Sequence, residues 1–157
     1  MCKKVILILL SFLLPVSPVY AMQGLVVGVT DGDTVKVVTK NGFEKIRLYG
    51  VDSPEKAQAY GISAKDFTSV MLKDKTVEIS PVGSVSYDRV VAVVMYGTQC
   101  VQEQLLLSGY AWVDPKYCTK SFCTAWKSLQ GIAMQNKVGL WRDPMPVQPW
   151  EWRKQRR

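Results

Sequence analysis

Apolar and polar residues alternate along the first part of the chain with the period of β-strands. Leu25–Val29 and Thr34–Thr39 are rich in β-branched residues and are separated by Asp31-Gly32, a dipeptide suited to a tight turn, which predicts a pair of antiparallel strands. Asn41-Gly42 repeats the turn signal before Phe43–Tyr49, so the three runs make a meander. From Tyr60 the period lengthens: Ala64, Phe67, Val70 and Met71 recur at helical spacing until Lys73-Asp74-Lys75. Val77–Pro81 and Val90–Tyr96 return to strand character, with Gly97 as a turn. Val101–Leu107 then carries the period of a short helix, and Gly109 stands where a left-handed helix end belongs. Phe122–Lys137 reads as a longer amphipathic helix with Trp126, Leu129, Ile132 and Ala133 on one face. Gly131 inside it costs about 1 kcal/mol against alanine, which predicts a close backbone contact there. Pro144, Pro146 and Pro149 follow Trp141 and predict an extended surface tail. Five short strands with helices after the third and after the fifth describe a β-rich α+β fold, a Greek-key barrel of OB type with three helices.

The amino terminus changes the count of core residues. Met1–Lys4 is short and basic, Val5–Leu14 is apolar, Pro15 and Pro18 interrupt it, and Val19-Tyr20-Ala21 offers small residues at the positions a signal peptidase reads. An apolar run of about ten residues is too short to span hydrocarbon that needs roughly twenty. Residues 1–21 are therefore expected to be a cleaved secretory signal rather than a retained anchor, leaving residues 22–157 as one domain in the periplasm or outside the cell. Losing Lys3 and Lys4 lowers the formal charge from +7 to +5, and Arg153, Lys154, Arg156 and Arg157 concentrate positive charge at the end of the chain. Such a balance suits a polyanionic partner, although basic tails are often merely solvated. Cys100, Cys118 and Cys123 remain after the signal is removed. Cys118 and Cys123 are near enough in sequence for a short-loop disulfide in an oxidising compartment, and Cys100 is expected to be a buried small hydrophobe.

The chain has no histidine. That excludes Ser-His-Asp and Cys-His catalysis, histidine-metal nucleases and phosphohistidine intermediates, and with three cysteines it leaves a structural zinc site without its ligands. Carboxylates and arginines remain, in two clusters: Asp31-Gly32-Asp33-Thr34, and Arg47 through Tyr49-Gly50-Val51-Asp52-Ser53-Pro54-Glu55. If the strands pair as predicted, Asp33 at one strand start and Asp52 beyond another strand end meet at one mouth of the barrel. Adjacent carboxylates repel unless a cation joins them, and an oxygen-only set suits a hard ion such as calcium or magnesium. Taken singly, the first cluster is also a hairpin turn, and the second a helix start capped by Ser53. Val35 stands where an EF-hand needs an oxygen ligand, which removes that motif. Arg47 and Arg89 lie beside strand residues, either as structural ion-pair partners or as a grip on phosphate oxygens.

The ordered segments VTDGDTVKV, IRLYGVDSPE, YGISAKDF, SYDRVVAVV, VQEQLLLSGYAWV and GLW span nearly the whole chain beyond residue 21. Together they resemble the staphylococcal (thermonuclease-like) nuclease family. The resemblance implies an OB-type barrel with three helices and calcium-dependent hydrolysis of DNA and/or RNA that leaves 3'-phosphate ends. It implies further that Asp33, Asp52 and the backbone carbonyl of Ser53 hold Ca2+, that Glu55 activates or orients the attacking water, and that Arg47 and Arg89 bind the phosphate. Asp31 matches an outer acid beside the metal, and Tyr87 a tyrosine that contacts the nucleotide.

Several positions depart from that pattern. Asp88 replaces a glycine and is expected to pair with Arg89 or to weaken phosphate binding, and Ser86 replaces a substrate-binding lysine. Pro115 replaces a stacking tyrosine for which Tyr117 can substitute, while Trp112 is a candidate for the core. The expected protein is thus a monomeric nuclease acting on nucleic acid. The competing reading is an OB-type nucleic-acid-binding module with a vestigial nuclease site.

Overall fold

The computed structural model describes residues 21–83 and 88–156. The signal segment to residue 20, Ser86 and Tyr87 lie outside the described residues. Strand β1 (Met22–Asp31) pairs antiparallel with β2 (Thr34–Thr39), and β2 with β3 (Gly42–Leu48), which is the predicted meander. After the short β4 (Val51–Asp52) and helix α1 (Gly61–Leu72), β5 (Thr76–Pro81) returns beside β1 and β6 (Val90–Tyr96) beside β5. A parallel pairing of β3 with β6, Ile46 against Val90 to Leu48 against Ala92, closes the five strands into a barrel. Closure removes the open strand edges that a flat sheet would expose. The short β7 (Gln99–Cys100) folds back antiparallel on the end of β6, and β8 (Trp112–Val113) pairs with β4.

Alternation decides which side chains fill the barrel. Val26, Val35, Val37, Ile46, Leu48, Ile79, Ala92 and Val94 are buried, while Leu25, Val27, Val38 and Phe43 face outward. Register shifts in β1 at Val26/Gly28 and Val29/Asp31 bend that strand around the barrel and bring Asp31 to its mouth. Leu72 of α1 and Leu105 and Leu106 of α2 (Val101–Leu107) are buried against this core, each worth about 1.5–3 kcal/mol of transfer free energy. Gln102 ties α2 to the barrel by donating to the Ala92 carbonyl (2.9 Å) and accepting from the Val94 N–H (3.2 Å).

Several expectations change. In α1 the buried positions are Gly61, Ala64, Thr68 and Leu72, and Val70, predicted on the inner face, is 86% exposed. In α3 (Cys123–Gln135) Trp126 and Ala133 are buried but Ile132 faces solvent, and a Cβ added at Gly131 would meet nothing within 4 Å. The predicted close contact at Gly131 is absent because α3 packs through its other face. Among the described residues there are four α-helices rather than three. After a 3-10 turn (Gly139–Arg142), residues 143–148 carry no helix as expected, but the tail then forms α4 (Pro149–Gln155) instead of remaining extended. Pro149 occupies the start of α4, where its missing N–H costs no intrahelical bond.

Candidate active site

Asp33 sits in the turn between β1 and β2, held by its surroundings before any ligand is considered. Its N–H donates to Asp31 Oδ1 (3.2 Å), its Oδ2 accepts from the Ser53 N–H (2.6 Å), and its Oδ1 accepts from the Thr34 hydroxyl (3.2 Å). Gly32 makes this possible: a Cβ there would lie 2.7 Å from Ser53 Oγ and 2.8 Å from the Ala64 Cβ. Thr68 of α1 donates to the Gly32 carbonyl (2.6 Å) and clamps the turn from below.

Arg47 lies opposite Thr34 in the β2–β3 register, so strand alternation aims it at the same mouth. It bridges the two buried carboxylates. Nη1 pairs with Asp33 Oδ1, and Nη2 donates to Asp52 Oδ1 (2.9 Å). Asp52 comes from β4, whose pairing with β8 sets it opposite Trp112, and Trp112 is buried edge-on against Trp141. Glu55 follows on the loop into α1, anchored by its N–H to Gln58 Oε1 (3.1 Å) and by the Gln58 N–H to its own carbonyl (2.8 Å).

These groups line one cavity of about 680 Å³, together with Asp31, Ser53, Arg89 and Tyr117. Burial pushes the Asp31 carboxyl above its ordinary range despite Arg47 nearby. Burial also lowers the Arg47 guanidinium, opposed mainly by Asp52. Asp88 pairs with Lys45 (2.5 Å) rather than with Arg89, which corrects the expected Asp88–Arg89 bridge. The Lys45 hydrogen bond holds the exposed Asp88 carboxyl below its usual range. Tyr117 is 61% exposed at the rim, on a loop shaped by Asp114 Oδ1, which accepts from the N–H groups of Lys116 and Tyr117 (2.8 and 3.0 Å). Cys118 and Cys123 form a disulfide that closes the same loop against Gly50, and Cys100 is buried with its thiol pushed up by desolvation.

One residue of the site was missed. Arg153 of α4 chelates Asp52, Nη2 to Oδ2 at 2.7 Å and Nη1 to Oδ1 at 3.3 Å, and its Nη1 also reaches Glu55 Oε1 at 2.7 Å. Its guanidinium pKa is raised, chiefly by the hydrogen bond to Asp52. In the sequence it stands in a basic tail that reads either as attraction for a polyanion or as solvated charge, not as a partner of Asp52. The helix-start proline at 149 before Trp150-Glu151-Trp152 was the available signal.

The donors present suit a hard divalent cation. Asp33 and Asp52 are buried and share one guanidinium, so one ion can face both, and Ser53 adds a backbone carbonyl and a buried Oγ with no hydrogen-bond partner. Among the described residues no cluster of three or more His, Cys, Asp and Glu side chains stands at ligand spacing. A cation held here therefore takes two carboxylates and completes its shell with neutral oxygens.

Comparison with known proteins decides the family. The sequence profile described as "Staphylococcal nuclease homologue" matches residues 45–143, more than half of the chain. The chain belongs to the staphylococcal nuclease family. As a member it is a nuclease, a hydrolase of phosphodiester bonds. This nuclease is 36% identical over 131 residues to an "Uncharacterized endonuclease" of Haemophilus influenzae, covering 83% of this chain and 72% of that one. It is 36% identical over 133 residues to an "Uncharacterized endonuclease" of Escherichia coli, covering 84% and 85%. The match to the "Staphylococcal-like nuclease CAN1" of Arabidopsis thaliana is 35% over 113 residues, covering 72% of this chain and 34% of the plant protein.

Proposed function

We propose that this nuclease is an exported, monomeric, calcium-dependent endonuclease that hydrolyses DNA and/or RNA and leaves 3'-phosphate ends. The observation that carries the reading is the Asp33–Arg47–Asp52 bridge, two buried carboxylates from separate elements joined by one guanidinium, with Glu55 and Arg89 lining the same cavity. Asp33, Asp52 and the Ser53 carbonyl would hold Ca2+, which supplies positive charge to a phosphoryl oxygen when bound. Arg47 and Arg89 bind the remaining non-bridging oxygens as their charge grows. Glu55 takes a proton of the attacking water on a carboxylate oxygen, the water oxygen bonds to phosphorus as the phosphorus–O5' bond breaks in line, and the departing O5' takes up a proton from solvent. Tyr117 offers a ring for a base at the rim, and Tyr87, outside the described residues, is assigned a nucleotide contact by family resemblance alone. The first 21 residues support export, and no helix among the described residues is long and apolar enough to cross a membrane.

The test is cleavage of plasmid DNA and of matched DNA and RNA strands over a calcium titration, with a chelator control and end-group analysis of the products. Internal cuts with 3'-phosphate ends that vanish with chelator are expected. Binding without a single nick at any calcium level would instead identify a non-catalytic binding module.

A further inference from the structure

The C-terminal segment is built into the site by more than one contact. The carboxamide of Gln58 works in both directions: Oε1 accepts the Glu55 N–H, and Nε2 donates to the Val147 carbonyl (2.5 Å). Pro149 is buried, and Trp152 lines a small cavity with Gln58, Tyr60 and Trp112. The backbone that leads into α4 is thereby locked to the loop that carries Glu55. From this base Arg153 covers both oxygens of Asp52 and one of Glu55.

Those contacts set up a conflict and a service at once. Asp52 is 1% exposed, and its oxygens are filled by Arg47 on one side and Arg153 on the other. A cation needs lone pairs that Arg153 now holds, and like charges cannot share that place. Arg47 is fixed between two acids, whereas Arg153 is 42% exposed and joined to the outer face of Asp52, so Arg153 is the group able to yield. Nη1 is shared between the two acids but lies nearer to Glu55 Oε1 (2.7 Å) than to Asp52 Oδ1 (3.3 Å), so the Glu55 contact is the one it can keep when Asp52 is released.

We propose that Arg153 is a positioning residue of the active site that surrenders Asp52 to the divalent cation and retains Glu55, so that it both competes with the cation and orients the carboxylate facing the attacking water. This rests on the calcium-dependent nuclease reading. It gives removal of Arg153 two effects of opposite sign: the cation binds more tightly, and turnover slows.

Calcium titration calorimetry and steady-state cleavage on the purified full chain, Arg153→Gln and Arg153→Lys test it. Arg153→Gln is expected to bind calcium roughly tenfold more tightly, the scale of one charge-assisted hydrogen bond removed from the competitor. At saturating calcium its kcat is expected to fall roughly tenfold with KM unchanged. Arg153→Lys, which keeps the charge but not the fork, should lie between in both measurements and gives the same signs if the glutamine variant does not fold. Unchanged or weaker calcium binding overturns the competition. An unchanged or raised kcat overturns the positioning role, and a KM effect alone would make Arg153 a substrate ligand instead. Wild-type protein that neither binds calcium nor cleaves overturns the functional reading as well, whereas wild-type binding and cleavage with indifferent Arg153 variants overturns this inference alone.

Discussion

At Glu55 the side chain is 39% exposed and its partner Arg153 is equally open, so little folding energy depends on it. Glu55→Gln keeps the shape and removes the base. Its kcat is expected to drop by roughly a hundredfold or more while the thermal midpoint moves little. Equal turnover in the variant would remove Glu55 from the mechanism. Arg47 is the opposite case, because it is the shared partner of two buried carboxylates. Arg47→Met leaves Asp33 without its cation and is expected to destabilise the fold by about 3 kcal/mol in chelator, read from urea unfolding. Calcium should restore part of that loss, since it answers the same charge; no recovery would argue that the two acids are not cation ligands. Asp33, Arg47 and Asp52 were placed at one mouth of the barrel by turn chemistry and strand alternation, whereas Asp31 and Glu55 joined them only through the family resemblance. Arg153 was legible by neither route, since its partner Asp52 is 101 residues away and only the packing of α4 brings them together.

Helices and turns show where periodicity stops being informative. The interval of three and four residues placed Val70 and Ile132 inward, yet both are exposed, because a helix lying on a barrel buries only a narrow stripe and the pattern does not say which of two apolar edges it is. Gly131 and Gly32 turn that ambiguity into a paired experiment. A methyl at Gly131 meets nothing and removes backbone freedom from the unfolded chain, so Gly131→Ala is expected to stabilise by about 0.5–1 kcal/mol. A methyl at Gly32 meets Ser53 and Ala64 at 2.7–2.8 Å, so Gly32→Ala must displace the Asp33 turn or α1 and is expected to cost about 1–3 kcal/mol. Thermal melts of the two variants should move in opposite directions, and movement in the same direction would contradict the packing described for one of them. The same lesson holds at the carboxyl end. Prolines 144, 146 and 149 read as breakers, but a proline at the first helical position starts a helix, and the tail carries an active-site group instead of trailing along the surface.

At the scale of the molecule, the barrel was readable because five alternating runs and two clear turns leave few ways to close a sheet, and the parallel β3–β6 pairing completes it. That closure has a thermodynamic consequence. Asp33 belongs to the β1–β2 turn, Asp52 and Ser53 to β4 and the residue after it, and they converge only when β3 lies between them and Arg47 is in place. The unfolded chain offers no such set of oxygens, so a divalent cation bound here must stabilise the whole domain by mass action. At a hundredfold excess over its dissociation constant, calcium is expected to add about 2.7 kcal/mol to the unfolding free energy. Asp52→Asn should abolish that increment, because it removes one of the two carboxylate charges that favour the ion. The measurement needs no substrate and so separates cation binding from catalysis. A melting curve indifferent to calcium in the wild-type chain would mean that the guanidinium groups alone balance these acids, and the metal would then have to leave the mechanism even if cleavage were observed.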